Sequence, residues 1–194
     1  FEALCKDWKL NNLTISKFTV NVPAYDYHNN IGTLFCSLKH TINSLKLNFV
    51  PYLNSLKGGD IKLPETPYLL FGWKGNEENS HEINNRRVPL ELLLKAMSKT
   101  SLSLVTTQRD ISEQEKSLLQ QYKVNIMTED CDNEGKAFHD TLTLVKDAKV
   151  IVSSDTALLH LAGCSRSKEQ LTIGMIVFGC EWRWIHSDAW YPDV

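Results

Sequence analysis

The sequence lacks any uninterrupted apolar run near the roughly 18–20 residues that a membrane-spanning helix needs, so it offers no transmembrane segment. It has no cysteine pair in C-x-x-C spacing, and its five cysteines (Cys5, Cys36, Cys131, Cys164 and Cys180) are odd in number. That argues against a disulfide framework and a structural zinc site, and it fits a reducing compartment. An excess of one charge is also missing: 21 basic residues against 23 acidic ones leave a net charge of −2. Bulk electrostatics therefore give nucleic acid or an anionic membrane surface no hold. An anionic small ligand has to be held by local dipoles and a few placed cations. Internal repeats, low-complexity stretches and a secretory leader are absent as well. The chain starts at Phe1 rather than Met and stops just after Tyr191-Pro192. It reads as a fragment of a longer protein, so the missing leader carries little weight.

What is present is the make-up of a soluble globular protein with a sizeable core, 42% hydrophobic and 23% charged. The strongest composition break is 54–67, with Gly58-Gly59, Pro64 and Pro67, and it reads as a linker. Before it lies a polar, irregular region with scattered aromatics and a short candidate helix over 33–45. After it the pattern changes. Residues 68–73 are a short apolar run suited to a buried strand. Pro89 opens a helical pattern with Leu90, Leu93, Leu94 and Met97 on one face. A second strand is expected over 101–106. Ser112 stands three residues before Glu115, a capping-box spacing, so a helix to about Tyr122 follows. The pattern continues with a strand at 124–127, a helix at 138–147, a strand at 149–152, a helix at 156–163 and a strand at 172–178. Such alternation predicts an α/β fold, a Rossmann-like parallel sheet with helices on both faces. Ligands of such sheets bind at the carboxyl ends of the strands. That places candidate sites at 73–87, 106–110, 153–160 and from 178 onward.

The segment 150–163 carries the most chemistry. A buried strand runs directly into Ser153-Ser154-Asp155-Thr156, and a helix follows with His160 and Gly163. A helix N-terminus offers unpaired N–H groups and about half a positive charge, and a phosphate fits there. Thr156 and His160 are four apart, so they share a helix face and can address one ligand. The plainer alternative is that Ser153, Ser154 or Asp155 caps the helix and His160 is a hydrogen-bonded core histidine.

The run Ser-Ser-Asp-Thr-Ala-x-x-His-Leu-Ala-Gly resembles the diphosphate-binding motif of the glycosyltransferase family 9 (ADP-heptosyltransferase-like) proteins. It is closest to the variant found behind tetratricopeptide repeats. Further segments resemble the family in the same order. They are Tyr25-Asp-Tyr-His28, Val50-Pro-Tyr-Leu53, Gly72-Trp-Lys-Gly-Asn76, Arg87-Val-Pro-Leu90, Thr106-Thr-Gln108, His139-Asp-Thr141, Trp182-Arg-Trp184 and Trp190-Tyr-Pro192. The resemblance spans roughly residues 22–192. It implies the C-terminal half of a GT-B fold, with 61–194 binding a nucleotide sugar and 1–60 a remnant of the acceptor-side domain.

On this resemblance the chain is the donor-binding half of an inverting, metal-independent glycosyltransferase with no cofactor. A nucleotide-diphosphate sugar is its donor, and a glycan or protein is its acceptor. Ser154, Asp155, Thr156 and His160 are expected around the diphosphate or the sugar. Asn76 in the loop after the first strand, Gln108 at the second, and Asp140 and Thr141 at a helix start are expected to bind substrate. The last two serve equally as helix caps. Lys74 and Arg183 are expected to offset charge on the leaving group. His81, Arg86 and Arg87 are weaker candidates, because Glu77-Glu78 makes this loop acidic for one that faces phosphate. Asp26 and His28 are not assigned as the catalytic base, which is expected outside this chain. Trp182, Trp184 and Trp190 are expected to pack. The expected setting is the cytoplasm, or the inner membrane as a peripheral protein, with helical repeats upstream as a possible fusion. The alternative is a non-catalytic nucleotide- or glycan-binding module. A nucleotide-sugar epimerase of the same fold ranks last, because its carboxylate and histidine pattern is not found.

Overall fold

Strands and helices alternate as the apolar runs require. A computed structural model describes residues 37, 39, 53–64, 67–78, 86–133, 137–165, 167, 169–177 and 184. Within them follow β1 (Tyr68–Gly72), α1 (Leu90–Met97), β2 (Ser103–Thr106), α2 (Glu113–Gln121) and β3 (Asn125–Ile126). Then come α3 (His139–Asp147), β4 (Val150–Ser154), α4 (Ala157–Cys164) and β5 (Leu171–Met175). The strands form one sheet in the order β3-β2-β1-β4-β5. All pairings are parallel, with Leu70 standing between Val105 and Ile151. The arrangement is α/β and Rossmann-like.

A parallel sheet covered on both faces needs strands that are apolar at successive positions, and all five residues of β1 are buried. Successive side chains alternate between faces. Leu69, Phe71, Leu104 and Val152 pack with Leu90, Leu93 and Leu94 of α1 and Leu119 of α2. Tyr68, Leu70, Val105 and Ile151 pack with Leu142, Leu144 and Val145 of α3 and Leu161 and Ala162 of α4. The Tyr68 hydroxyl donates to the Leu144 carbonyl at 2.7 Å. Burial, and then Asp147, raise its pKa above the usual phenol range. Among the described residues no helix is long and apolar enough to cross a membrane.

Several element boundaries differ from the sequence expectation. β4 extends to Ser154 because its ladder with β5 continues through Ser153–Gly174 and Ser154–Met175. Ser153 and Ser154 are therefore fully buried strand residues rather than the opening of a helix. α4 begins at Ala157, with Thr156 as its N-cap. Pro89 is the N-cap of α1. α3 begins at His139, after Phe138 turns the chain with a φ of 66°. β2, β3 and β5 are shorter than expected. The candidate helix at 33–45 lies outside the described residues apart from Ser37 and Lys39.

The segment read as a linker is bonded to the α/β unit. Leu53 N donates to Cys164 O at 2.9 Å, and Gly59 N to His139 O at 2.8 Å. Thr143 Oγ1 donates to Gly59 O at 2.8 Å. The Lys146 ammonium donates to the carbonyls of Asn54 and Leu56. Leu53 and Leu56 are buried in the core under α3 and α4. This close approach depends on glycine: a Cβ on Gly59 would lie 1.7 Å from Asp140 Oδ1 and 3.0 Å from Asp140 Cα. Gly59→Ala is predicted to destabilise the protein by about 1–3 kcal/mol, read by urea denaturation. Unchanged stability would show that this segment does not rest on α3 in solution.

Candidate functional site

In a parallel α/β sheet every strand delivers its following helix N-terminus to the same edge. The chain leaves β1 in the sheet centre, builds β2 and β3 on one side, and crosses to β4 on the other. The crevice between β1 and β4 is thus the topological switch point. A cavity of about 330 Å³ lies at this edge, within the size range of small-molecule sites. Its wall includes Gly72 and Asn76 after β1, Gln108 after β2, Thr141 of α3, and Thr156 and Leu158 at the start of α4. A Cβ on Gly72 would meet Leu158 Cδ2 at 3.3 Å and Gln108 Oε1 at 3.7 Å. Glycine here keeps the end of β1 close to α4.

The helix N-termini at this edge differ in how their N–H groups are met. At α2 the capping box read from the sequence is present, with the Ser112 side chain accepting from Glu115 N and Glu115 accepting from Ser112 N. At α3 the Asp132 carboxylate accepts from Asp140 N at 2.8 Å, from Thr141 N at 3.2 Å and from the Thr141 hydroxyl. Asp140 returns the contact by accepting from Asp132 N at 2.9 Å. Asp140 and Thr141 are therefore engaged in capping α3, although Thr141 also reaches the cavity wall. At α4 the N-cap Thr156 makes no side-chain cap, and its hydroxyl sits 3.1 Å from Ser153 Oγ.

Thr156 and His160, expected to share a helix face, differ in their relation to the cavity. Thr156, Ala157, Leu158 and Leu161 line the cavity, whereas Asp155 and His160 do not. His160 Nε2 lies 3.6 Å from Asp155 Oδ1, and its ring stacks on Trp184 at 5.5 Å. The His160 imidazole is the main cause holding the Asp155 carboxyl below the usual range. Burial works against it, and Trp184 and Arg86 add to the lowering. Ser154 Oγ is buried without a hydrogen-bond partner. By strand alternation Ser154 shares the α1/α2 face with Val152, and it is not among the residues that line the cavity.

Lys74 is on the cavity wall but already paired. Its ammonium donates to Glu77 Oε1 at 2.9 Å, Asp110 O at 2.7 Å and Glu115 Oε2 at 2.8 Å. Its side chain is fully buried beside the Trp73 ring. Glu115 Oε1 also accepts from Trp73 Nε1 at 2.9 Å. Burial raises the Glu115 pKa, but the bonds from Lys74, Ser112 and Trp73 outweigh it and bring the group down to about 2. Gln108 accepts from Trp73 N at 3.4 Å and so ties the β1 and β2 loops together. Asn76 accepts from Glu78 N at 3.0 Å. Arg183, His81, Asp26, His28, Trp182 and Trp190 lie outside the described residues.

Arg109, Thr128, Cys131 and Asp132 also line the cavity and were not among the candidates. Arg109 donates to Cys131 O at 3.3 Å and has no carboxylate partner among the described residues. Burial, then Asp132 and Asp140, push the Cys131 thiol up to about 12, so it stays protonated at neutral pH. The one sequence signal for this group was the Asp132-Asn133 pair, which is turn and cap chemistry. Among the described residues no group of three or more His, Cys, Asp or Glu side chains could hold a metal ion.

No family model, curated protein or solved structure matches the chain. Fold and geometry define a class, an α/β protein with a Rossmann-like sheet and a cavity at its switch point.

The Glu115 carboxylate generates a prediction. Its folded pKa is depressed, so its contribution is present above about pH 4.5 and is lost as pH falls toward about 2. Glu115→Gln is predicted to lower stability at pH 7 by about 2–3 kcal/mol. The gap to wild type should narrow through that acid window in urea denaturation. A gap independent of pH would contradict the ion-pair account.

Proposed function

We propose that the cavity binds the diphosphate of a nucleotide-diphosphate sugar against the first turn of α4, as the donor half of an inverting glycosyltransferase. One observation carries the reading. α1 has Glu91 in its first turn, α2 has Glu113 and Glu115, α3 has Asp140, and α4 has no carboxylate there. Asp155, just before α4, is paired with His160 instead. An anion is favoured at the helix end that is not already neutralised. The resemblance of 150–163 to the diphosphate motif of glycosyltransferase family 9 supports the same placement.

On this reading Thr156 and the first N–H groups of α4 hold the phosphates, and Arg109 adds positive charge at the cavity. Asn76, Gln108 and Thr141 face the remainder of the donor. An acceptor hydroxyl oxygen bonds to the anomeric carbon, and the bond from that carbon to the diphosphate breaks with its electron pair. The acceptor proton passes to a base from the acceptor-side domain. Positive potential preorganised at α4 stabilises the charge growing on the leaving group, without a metal ion or cofactor. A glycan or protein acceptor, a GT-B partner domain and a cytoplasmic or inner-membrane-peripheral setting belong to the same proposal. A second reading, a non-catalytic nucleotide-binding module, is favoured by Lys74. An ammonium paired with two carboxylates brings no net positive charge to a leaving group.

Ala157 is exposed at the start of α4, so Ala157→Asp should fold and keep its melting temperature. It is predicted to weaken binding of UDP or ADP by about tenfold or more in calorimetry, through like-charge repulsion. Unaltered affinity would sink the placement at α4. In the intact protein, nucleotide binding without sugar transfer or donor hydrolysis would select the binding-module reading.

A further inference from the structure

The acidic loop after β1 finds no role in a phosphate site, yet its first carboxylate is held by two cations. Glu77 Oε1 accepts from the Lys74 ammonium at 2.9 Å and from Arg87 Nη2 at 2.5 Å. Lys74 is buried and forms part of the cavity wall with Gly75 and Asn76. Glu77 and Arg87 are each about half exposed, with side-chain accessibilities of 50% and 47%. The converging cations lower the Glu77 pKa, the Lys74 hydrogen bond most of all. Without Glu77, Lys74 and Arg87 against Glu115 leave one net positive charge beside the stretch of cavity wall that Lys74 forms. The Glu77 carboxylate and the Arg87 guanidinium are half exposed, so solvent screens their attraction and a soluble anion can replace the carboxylate without unfolding the loop. Phosphate oxygens suit the same cations, because ammonium and guanidinium groups form charge-assisted bonds to either anion.

We propose that Glu77 is a displaceable internal anion, occupying a Lys74–Arg87 subsite that a phosphate group of the ligand takes on binding. This rests on the reading of the cavity as a nucleotide-diphosphate site. The Glu77 carboxylate then acts as a second counter-ion to Lys74, beside Glu115, and as the partner of Arg87 while the cavity is empty, and it yields both cations when the ligand arrives. Glu78 provides the control, being a neighbouring carboxylate with no ion-pair partner among the described residues.

The test is calorimetric titration of ADP into wild type, Glu77→Gln, Glu78→Gln and the double variant Glu77→Gln/Arg87→Gln, with melting temperatures alongside. Glu77→Gln is expected to tighten ADP binding about three- to tenfold. Glu78→Gln should change it less than twofold, and the double variant should lose the gain. If wild type binds ADP but Glu77→Gln matches Glu78→Gln or binds more weakly, the Glu77 inference is overturned and the donor-site reading stands. A double variant as tight as Glu77→Gln removes Arg87 from the subsite and overturns the inference as stated. ADP binding to none of the four proteins overturns both readings.

Discussion

A parallel sheet buried on both faces turns each helix N-terminus toward one edge, and each brings N–H groups that need acceptors. That obligation organises this molecule. At α2 it is met by the Ser112–Glu115 box, and at α3 by the Asp132 carboxylate working reciprocally with Asp140. At α4 neither the N-cap nor a first-turn carboxylate meets it. The cavity lies against that exception and at the switch between β1 and β4. The same positive end would be a defect if buried without partners. At a cavity mouth it is a place for an anion.

The surrounding chemistry is arranged to keep that edge rigid. Glu115 receives bonds from Ser112 N, Trp73 Nε1 and Lys74 Nζ, joining the start of α2 to the loop after β1. Gln108 ties the β1 and β2 loops together, and Thr128 Oγ1 donates to Gln108 O at 2.6 Å from the β3 side. Gly58 and Gly59 press the preceding segment onto α3 and hold its N-terminal turn in place. The loops that shape the cavity are thus cross-linked through side chains far apart in sequence. A preformed cavity of this kind loses less conformational freedom on binding.

The layout was legible in the sequence wherever local pattern and tertiary role agree. The apolar run of β1, the Leu90–Met97 face of α1 and the Ser112–Glu115 box all carry their structure in neighbouring residues. Legibility failed where partners are distant. Lys74 looked like a free cation because Glu115, 41 positions away, is invisible to a local reading. Ser153 and Ser154 looked like a helix start because polar residues rarely fill a central strand. Their pairing with β5 overrides that local preference. For Asp140 and Thr141 a helix cap and a ligand contact stood equally open, and the Asp132 carboxylate that draws them into the cap arrives through a turn with φ 56°. The Thr156–His160 spacing gave the right helix, but the contacts of the imidazole with Asp155 and Trp184 are not visible in that spacing.

The central claim is that the uncapped start of α4, rather than the capped start of α3, receives the anionic ligand. Backbone amide chemical shifts followed by NMR during an ADP titration separate the two directly. The account predicts that the Ala157 and Leu158 amides shift with ADP concentration, while that of Asp140, already bonded to Asp132 and off the cavity wall, stays in place. Shifts confined to Asp140 and Thr141, or none at Ala157 and Leu158 under saturating ADP, would contradict it.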